Sequence, residues 1–158
     1  MIKAQCNVDI VWAFDKAVQE VALRTHQGKA VVVWAYNSIE RYPDESKHPW
    51  NRLKRLMQQL FELDVTIVVS AGNDKTRWTR WYVDTLPALW EGPGFPLIVA
   101  GSVDNFGRAA AFSQGPQHVS IWAPGIDVHC AKRDTISGGR AHGTSVSAGM
   151  VKHLDQVR

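Results

Sequence analysis

Residues 64–73 read DVTIVVSAGN. The apolar run Val65–Val69 is interrupted only by Thr66, and it ends abruptly in Ser70, Ala71, Gly72 and Asn73. A short continuous run of β-branched residues suits a strand covered on both faces, the usual condition in a parallel sheet. The small residues after it read as a turn, where glycine and asparagine are at home. Just before it, Leu53, Leu56, Met57, Leu60 and Phe61 recur at helical spacing from Trp50 onward, with Pro49 suited to the first turn.

The same alternation extends in both directions. Val11, Phe14, Val18, Val21 and Ala22 predict a helix over roughly 7–24, with Asn7 as cap, Asp9 in the first turn and Gly28 as a stop. KAVVVWA (29–35) reads as another doubly buried strand, FPLIVAGSV (95–103) as a third and HVSIWAPG (118–125) as a short fourth. From Ser145 a final helix is expected, with Val146, Met150, Val151 and Leu154 on one face. Strand–helix–strand alternation of this kind predicts an α/β fold with a parallel sheet flanked by helices. In such sheets the chemistry gathers at the carboxyl ends of the strands. Attention therefore falls on Ala35-Tyr36-Asn37-Ser38, on Ser70 to Asp74, and on the loop before Ser145. The stretch 74–96 has no clear period, and its tryptophans Trp78, Trp81 and Trp90 suggest a partly packed loop anchored by rings.

The chain has 158 residues, 45% of them apolar and 21% charged, an ordinary globular balance that makes one domain the default. Eighteen Lys and Arg against fifteen Asp and Glu leave a formal charge of +3, spread without the clustering a nucleic-acid surface needs. Nothing approaches the ~20 apolar residues of a membrane span, and residues 1–14 make a poor signal peptide. No nucleic-acid or membrane partner is expected. Cys6 and Cys130 read as buried free thiols and do not fix the compartment.

SGGRAHGTSVSAGMV (137–151) holds the candidate nucleophile. Gly143 permits a sharp turn, and Ser147, Ala148 and Gly149 permit close approach of the following helix. Taken alone, Ser145 reads first as an N-cap serine and Asn73 as a turn asparagine. As chemistry, Ser145 would sit at the positive end of a helix dipole, and Asn73 could donate to a negative oxygen. A G-x-S-x-G elbow fails at Ser147. Neither a phosphate loop nor a strand-linked G-x-G-x-x-G occurs, and His129-Cys130 lacks a second pair at zinc spacing.

In order along the chain, VTIVVSAGND, FPLIVAGSVDNFGRAAAFSQGP, VSIWAPGID and GTSVSAGMV resemble segments of the subtilisin-like serine proteases (subtilases, peptidase S8). Upstream, VDIVWAFDKAVQEV and KAVVVWAYNS resemble that family's helix and substrate strand. The resemblance implies a subtilisin-like three-layer fold over one partial peptidase domain, residues 1–158, incomplete at both ends. It implies Ser145 as the acyl-forming nucleophile, with Asn73 and the Ser145 backbone N–H as oxyanion donors. Ala35-Tyr36-Asn37 and Ser70-Ala71-Gly72 would flank the pocket for the substrate side chain and pair with the substrate backbone. Here the family usually has S-L-G, so Tyr36 is expected to reshape that pocket. A polypeptide substrate follows. Calcium is possible by resemblance, and secretion is common in the family, though no residue here speaks for either.

The family's D-[ST]-G and H-G-T-H motifs do not occur in the chain; Asp84-Thr85 and Asp134-Thr135 are followed by Leu86 and Ile136 and lie after the Asn73 strand. His142-Gly143-Thr144 mimics the histidine motif, but a ring three residues before the nucleophile is badly placed to reach Ser145 Oγ. His26, His48, His118, His129 and His153 carry no motif. A serine hydroxyl is a weak nucleophile without a base, so the isolated chain is expected to be nearly inert as a protease. Loss of the histidine alone costs subtilisin itself about a million-fold in turnover. The competing expectation is a non-catalytic relative that binds a peptide or partner through the old substrate strand. A serine-capped α/β domain of unrelated chemistry is the remote third.

Overall fold

The structure is a computed structural model that describes residues 7–24, 28, 30–38, 40–77, 79–132 and 135–151, without the side chains of residues 7–9, 132 and 135–137. Cys6, His26, Trp78, Asp134, His153 and Leu154 lie outside the described residues, as does the proposed cap by the Asn7 side chain. Two compact units divide the chain, Met1–Val32 with Pro43–Ile67, and Val33–Tyr42 with Val68–Arg158.

Helices α1 (Asn7–Leu23) and α2 (Trp50–Glu62) belong to the first unit and pack on each other. The expected face of α2 is the buried one: Leu53, Leu56, Met57 and Leu60 are almost wholly shielded, and Trp50 joins them. Phe61 stands at the margin, half-buried. Along α1, Phe14 and Val21 are buried and Ala22 is exposed, so its apolar stripe is narrower than the spacing predicts. Arg52 reaches Asp15 across the two helices at 3.1 Å. Both side chains are about two-fifths exposed, and such a pair contributes little.

The strands are β1 (Val31–Trp34), β2 (Thr66–Ser70), β3 (Ile98–Val103) and β4 (Ile121–Pro124), in the sheet order β1-β2-β3-β4. In the second unit β2 and β3 run parallel with Val68 opposite Ile98 and Ser70 opposite Ala100, and β3 and β4 run parallel with Ala100 opposite Ile121. Val68, Val69, Val99 and Ala100 are fully buried, as a two-sided strand requires. β1 departs from its expected double burial: only Trp34 is buried, because among the described residues β1 is an edge strand.

Helix α3 (Thr144–Val151) packs on β3 and β4. Its buried residues are Thr144, Ser147, Ala148 and Val151, whereas Met150 is exposed and Val146 only half-covered. The expected face was therefore rotated. Small side chains let the helix approach closely enough for Ser147 Oγ to donate to Ala123 O (3.1 Å), and that contact sets its phase. Between β4 and α3 lies a hairpin the sequence reading missed, β5 (Val128–Lys132) antiparallel to β6 (Thr135–Ala141). Cys130 is exposed on this two-stranded ribbon, contrary to the expected burial. The stretch 74–96 is better packed than a partial loop. Val83 to Ala88 are buried, a 3-10 turn spans Ala88–Trp90, and Trp90 is buried, though Trp81 is exposed.

Leu60→Ala should lower unfolding stability by about 2–5 kcal/mol through lost burial and a residual cavity. Gln58→Ala, on the exposed side of the same helix, should stay within about 0.5 kcal/mol in the same urea titration.

Candidate active site

Segments at the carboxyl ends of β1 and β2 and the first turn of α3 meet in the second unit. They enclose a cavity of about 350 Å³ lined by Ala35, Tyr36, Asn37, Ser38, Ser70, Asn73, Asp74 and Ser145. Ala71 and Gly72 are buried behind this lining. Gly143 takes φ +136, a left-handed conformation that favours glycine. Its backbone N–H donates to Gly125 O (2.9 Å), which ties the turn to the end of β4. A Cβ placed on Gly143 would lie 3.3 Å from Asn73 Nδ2 and 3.3 Å from Ser145 Oγ. The amide and the hydroxyl therefore face one small volume.

Thr144 fixes how Asn73 is presented. Its backbone N–H and its Oγ1 both donate to Asn73 Oδ1, at 2.8 and 3.0 Å. Thr144 Oγ1 in turn accepts from Gly72 N–H (3.1 Å). With its oxygen so engaged, the amide turns Nδ2 outward, and among the described residues Nδ2 meets no acceptor. Ser145 is the second residue of α3, where backbone N–H groups have no intrahelical acceptor.

Asn37 spans the gap between the two wall segments. The hydrogen-bond network orients its amide so that the nitrogen donates to Ser70 O (3.0 Å) and Tyr36 O (3.1 Å), while the oxygen accepts from Gly72 N–H (3.2 Å). Gly72 takes φ +109, and a Cβ there would lie only 2.0 Å from Gln114 Oε1. No other residue fits between Asn37 and Gln114 without displacing one of them.

Behind these walls sits Asp84, 1% exposed along its side chain. It accepts from Arg80 Nε and Nη2, both at 2.8 Å, from Arg41 Nε at 2.8 Å and from Gln114 Nε2 at 3.0 Å. Arg80 also pairs with Asp74 on the cavity lining. Burial alone would raise the Asp84 carboxyl, but Arg80, Gln114 and Arg41 together outweigh it and hold the group below the usual carboxylate range. Its backbone carbonyl accepts from Tyr42 N–H (2.8 Å); beside it Ser38 N–H donates to Leu86 O (2.9 Å) and Leu86 N–H donates to Ser38 Oγ (3.0 Å). The sequence reading placed no role on Thr144, Asp84 or Gln114. Only the i, i+4 spacing of Arg80 and Asp84 could have hinted at the pair.

Among the described residues, no histidine lines the cavity. His142 Nδ1 accepts from Asp127 N–H (3.1 Å), so the ring turns to the β4–β5 loop. His118 lies beside Glu91 at 3.3 Å. No group of three or more His, Cys, Asp or Glu gathers as a metal would need, again among the described residues. Nor is any described helix long and apolar enough to cross a membrane.

A family model, the subtilase family of peptidases S8, matches residues 4–153. The chain belongs to that family. It is 35% identical over 101 residues to a probable subtilase-type serine protease of Deinococcus radiodurans, a match covering 63% of this chain and 12% of that protein. The patellamide maturation protease PatA superposes with a TM-score of 0.71 at 20% identity, over 96% of this chain and 49% of that one. The PatG macrocyclase in complex with peptide gives 0.63 at 21%, over 89% and 39%. The chain thus spans about half or less of these relatives, and its α/β architecture is the subtilisin-like one.

Asp84→Asn should cost about 3 kcal/mol, the low end for breaking a buried ion pair, since Arg80 keeps Asp74. The folded carboxyl titrates below its unfolded value, so its stabilising contribution is complete above the unfolded value of about 3.9. That contribution disappears as pH falls through the lower folded value. Denaturant titrations of both proteins should therefore differ fully at pH 6 and converge in strong acid.

Proposed function

We propose that this cavity carries out acyl transfer on peptide bonds. Ser145 Oγ attacks the carbonyl carbon, and the C=O electron pair moves to oxygen. Asn73 Nδ2 and the Ser145 N–H receive that oxygen, a contact that strengthens as negative charge develops. The amine leaves with a proton, and water then releases the acyl group. Ala35-Tyr36-Asn37 and Ser70-Ala71-Gly72 border the residue that bears the carbonyl. The observation that carries this reading is the placement of one amide nitrogen and one hydroxyl 3.3 Å from the same point. PatG, which adopts the same fold, has a structure in complex with peptide, and a polypeptide is the substrate proposed here.

The proton of Ser145 needs a base, and none lines the cavity among the described residues. The chain by itself should therefore turn peptides over slowly, with roughly the 10³–10⁴ over water that oxyanion stabilisation and binding supply in triad-deficient enzymes. The same observation favours a second reading, a peptide-binding relative without catalysis.

A fluorophosphonate probe separates the two. Attack by Ser145 Oγ forms the O–P bond as fluoride leaves and solvent takes the proton. Slow labelling at Ser145 is expected, absent in Ser145→Ala and slower by roughly 10²–10³-fold in Asn73→Ala, the loss typical of one oxyanion donor. An unlabelled Ser145 would overturn the acyl-transfer reading; labelling indifferent to Asn73 would remove that residue from the mechanism.

A further inference from the structure

We propose that Asn37 sets the substrate class of this site by closing the space beside the nucleophile, so that the residue bearing the attacked carbonyl has a short side chain: glycine, alanine or serine. The inference rests on the acyl-transfer reading above and deepens it.

A carbonyl held between Ser145 and Asn73 belongs to a residue whose side chain projects over the rest of the same cavity. The remaining lining is Ala35, Tyr36, Asn37, Ser38, Ser70 and Asp74. A deep pocket would have to open between the segment 35–38 and the segment 70–72. The Asn37 side chain occupies that gap. It bonds to Ser70 O, Tyr36 O and Gly72 N–H at 3.0–3.2 Å, so moving it aside gives up three hydrogen bonds; of the three partners, Gly72 N–H keeps a second acceptor, Thr144 Oγ1. Recession of the far wall is blocked too, since Gln114 Oε1 lies 2.0 Å from the Cβ position on Gly72 and Gln114 is itself 1% exposed and held by Tyr82 O and Asp84. Four of these six lining residues are polar, Asn37, Ser38, Ser70 and Asp74, and Asp74 is engaged by Arg77 and Arg80.

Two N-acetyl tetrapeptide aldehydes that end in alaninal or phenylalaninal test the proposal by titration calorimetry. An aldehyde needs no further reactant: Ser145 Oγ adds to the carbonyl carbon, and the hydroxyl proton ends on the former carbonyl oxygen. The wild-type protein should bind the alaninal peptide at least about tenfold more tightly, within the range that pocket size alone confers. Asn37→Gly should tighten phenylalaninal about tenfold and move alaninal less than about threefold. Asn37→Ser, which keeps a polar group and serves if the glycine variant melts early, should fall between. Preference of the wild-type protein for phenylalaninal would overturn the assignment, as would an unchanged preference in both variants. Failure of both aldehydes to bind, or binding that survives Ser145→Ala, would instead bring down the acyl-transfer reading on which it rests.

Discussion

Two hydrogen bonds into one oxygen hold the site together. Asn73 Oδ1 accepts from the Thr144 N–H and from its hydroxyl, and so the amide nitrogen is left facing the cavity beside Ser145. An asparagine at the end of a strand is ordinarily free to rotate, and this one is exposed. Its orientation comes from a residue 71 positions later in the chain. The first turn of α3 therefore does more than carry a hydroxyl. It orients the group that would receive the developing charge, and the Gly72 N–H bond to Thr144 Oγ1 ties the same turn to the end of β2. Preorganisation of this kind matters because a donor already aimed need not reorient during reaction.

The turn can take that position because of the packing beneath it. Gly143 adopts a conformation other residues rarely hold, and Ser147 and Ala148 let α3 settle against β4. On the opposite side, Asp84 gathers Arg80, Arg41 and Gln114 under both walls of the cavity. A buried carboxylate would be costly alone; two guanidinium groups and an amide make it tolerable and give it a fixed geometry. Gln114 then backs Gly72, and Asn37 faces it from the front. Two polar side chains thus meet around one glycine beside the cavity.

Much of this was readable in the chain. Valine runs bounded by small residues located β2 and β3, and the recurrence of Leu53, Leu56, Met57 and Leu60 located the buried face of α2, because burial on one face leaves a periodic trace. Motif order pointed to the family and to the fold, and Ser145 and Asn73 line one cavity with Ala35, Tyr36, Asn37 and Ser70, whereas Ala71 and Gly72 do not. What the pattern could not carry was pairing through space. The phase of α3 depends on a hydroxyl meeting Ala123 O, so apolar spacing chose the wrong face. Edge position, which left β1 half-covered, is a property of the sheet and not of the strand. The β5–β6 hairpin holds Gly138, Gly139 and Arg140 without apolar alternation, and Asp84 looks like any loop aspartate until Arg41 is brought from 43 residues away.

A double-mutant cycle between Asn73→Ala and Thr144→Val, read from fluorophosphonate labelling of Ser145, tests the central contact most directly. If Thr144 acts by aiming the Asn73 amide, its removal should matter only while that amide is present, and the two effects should couple by roughly 0.5–3 kcal/mol. Losses that add to within about 0.3–0.5 kcal/mol would show that the two residues act independently, and the account of how this site is organised would be wrong.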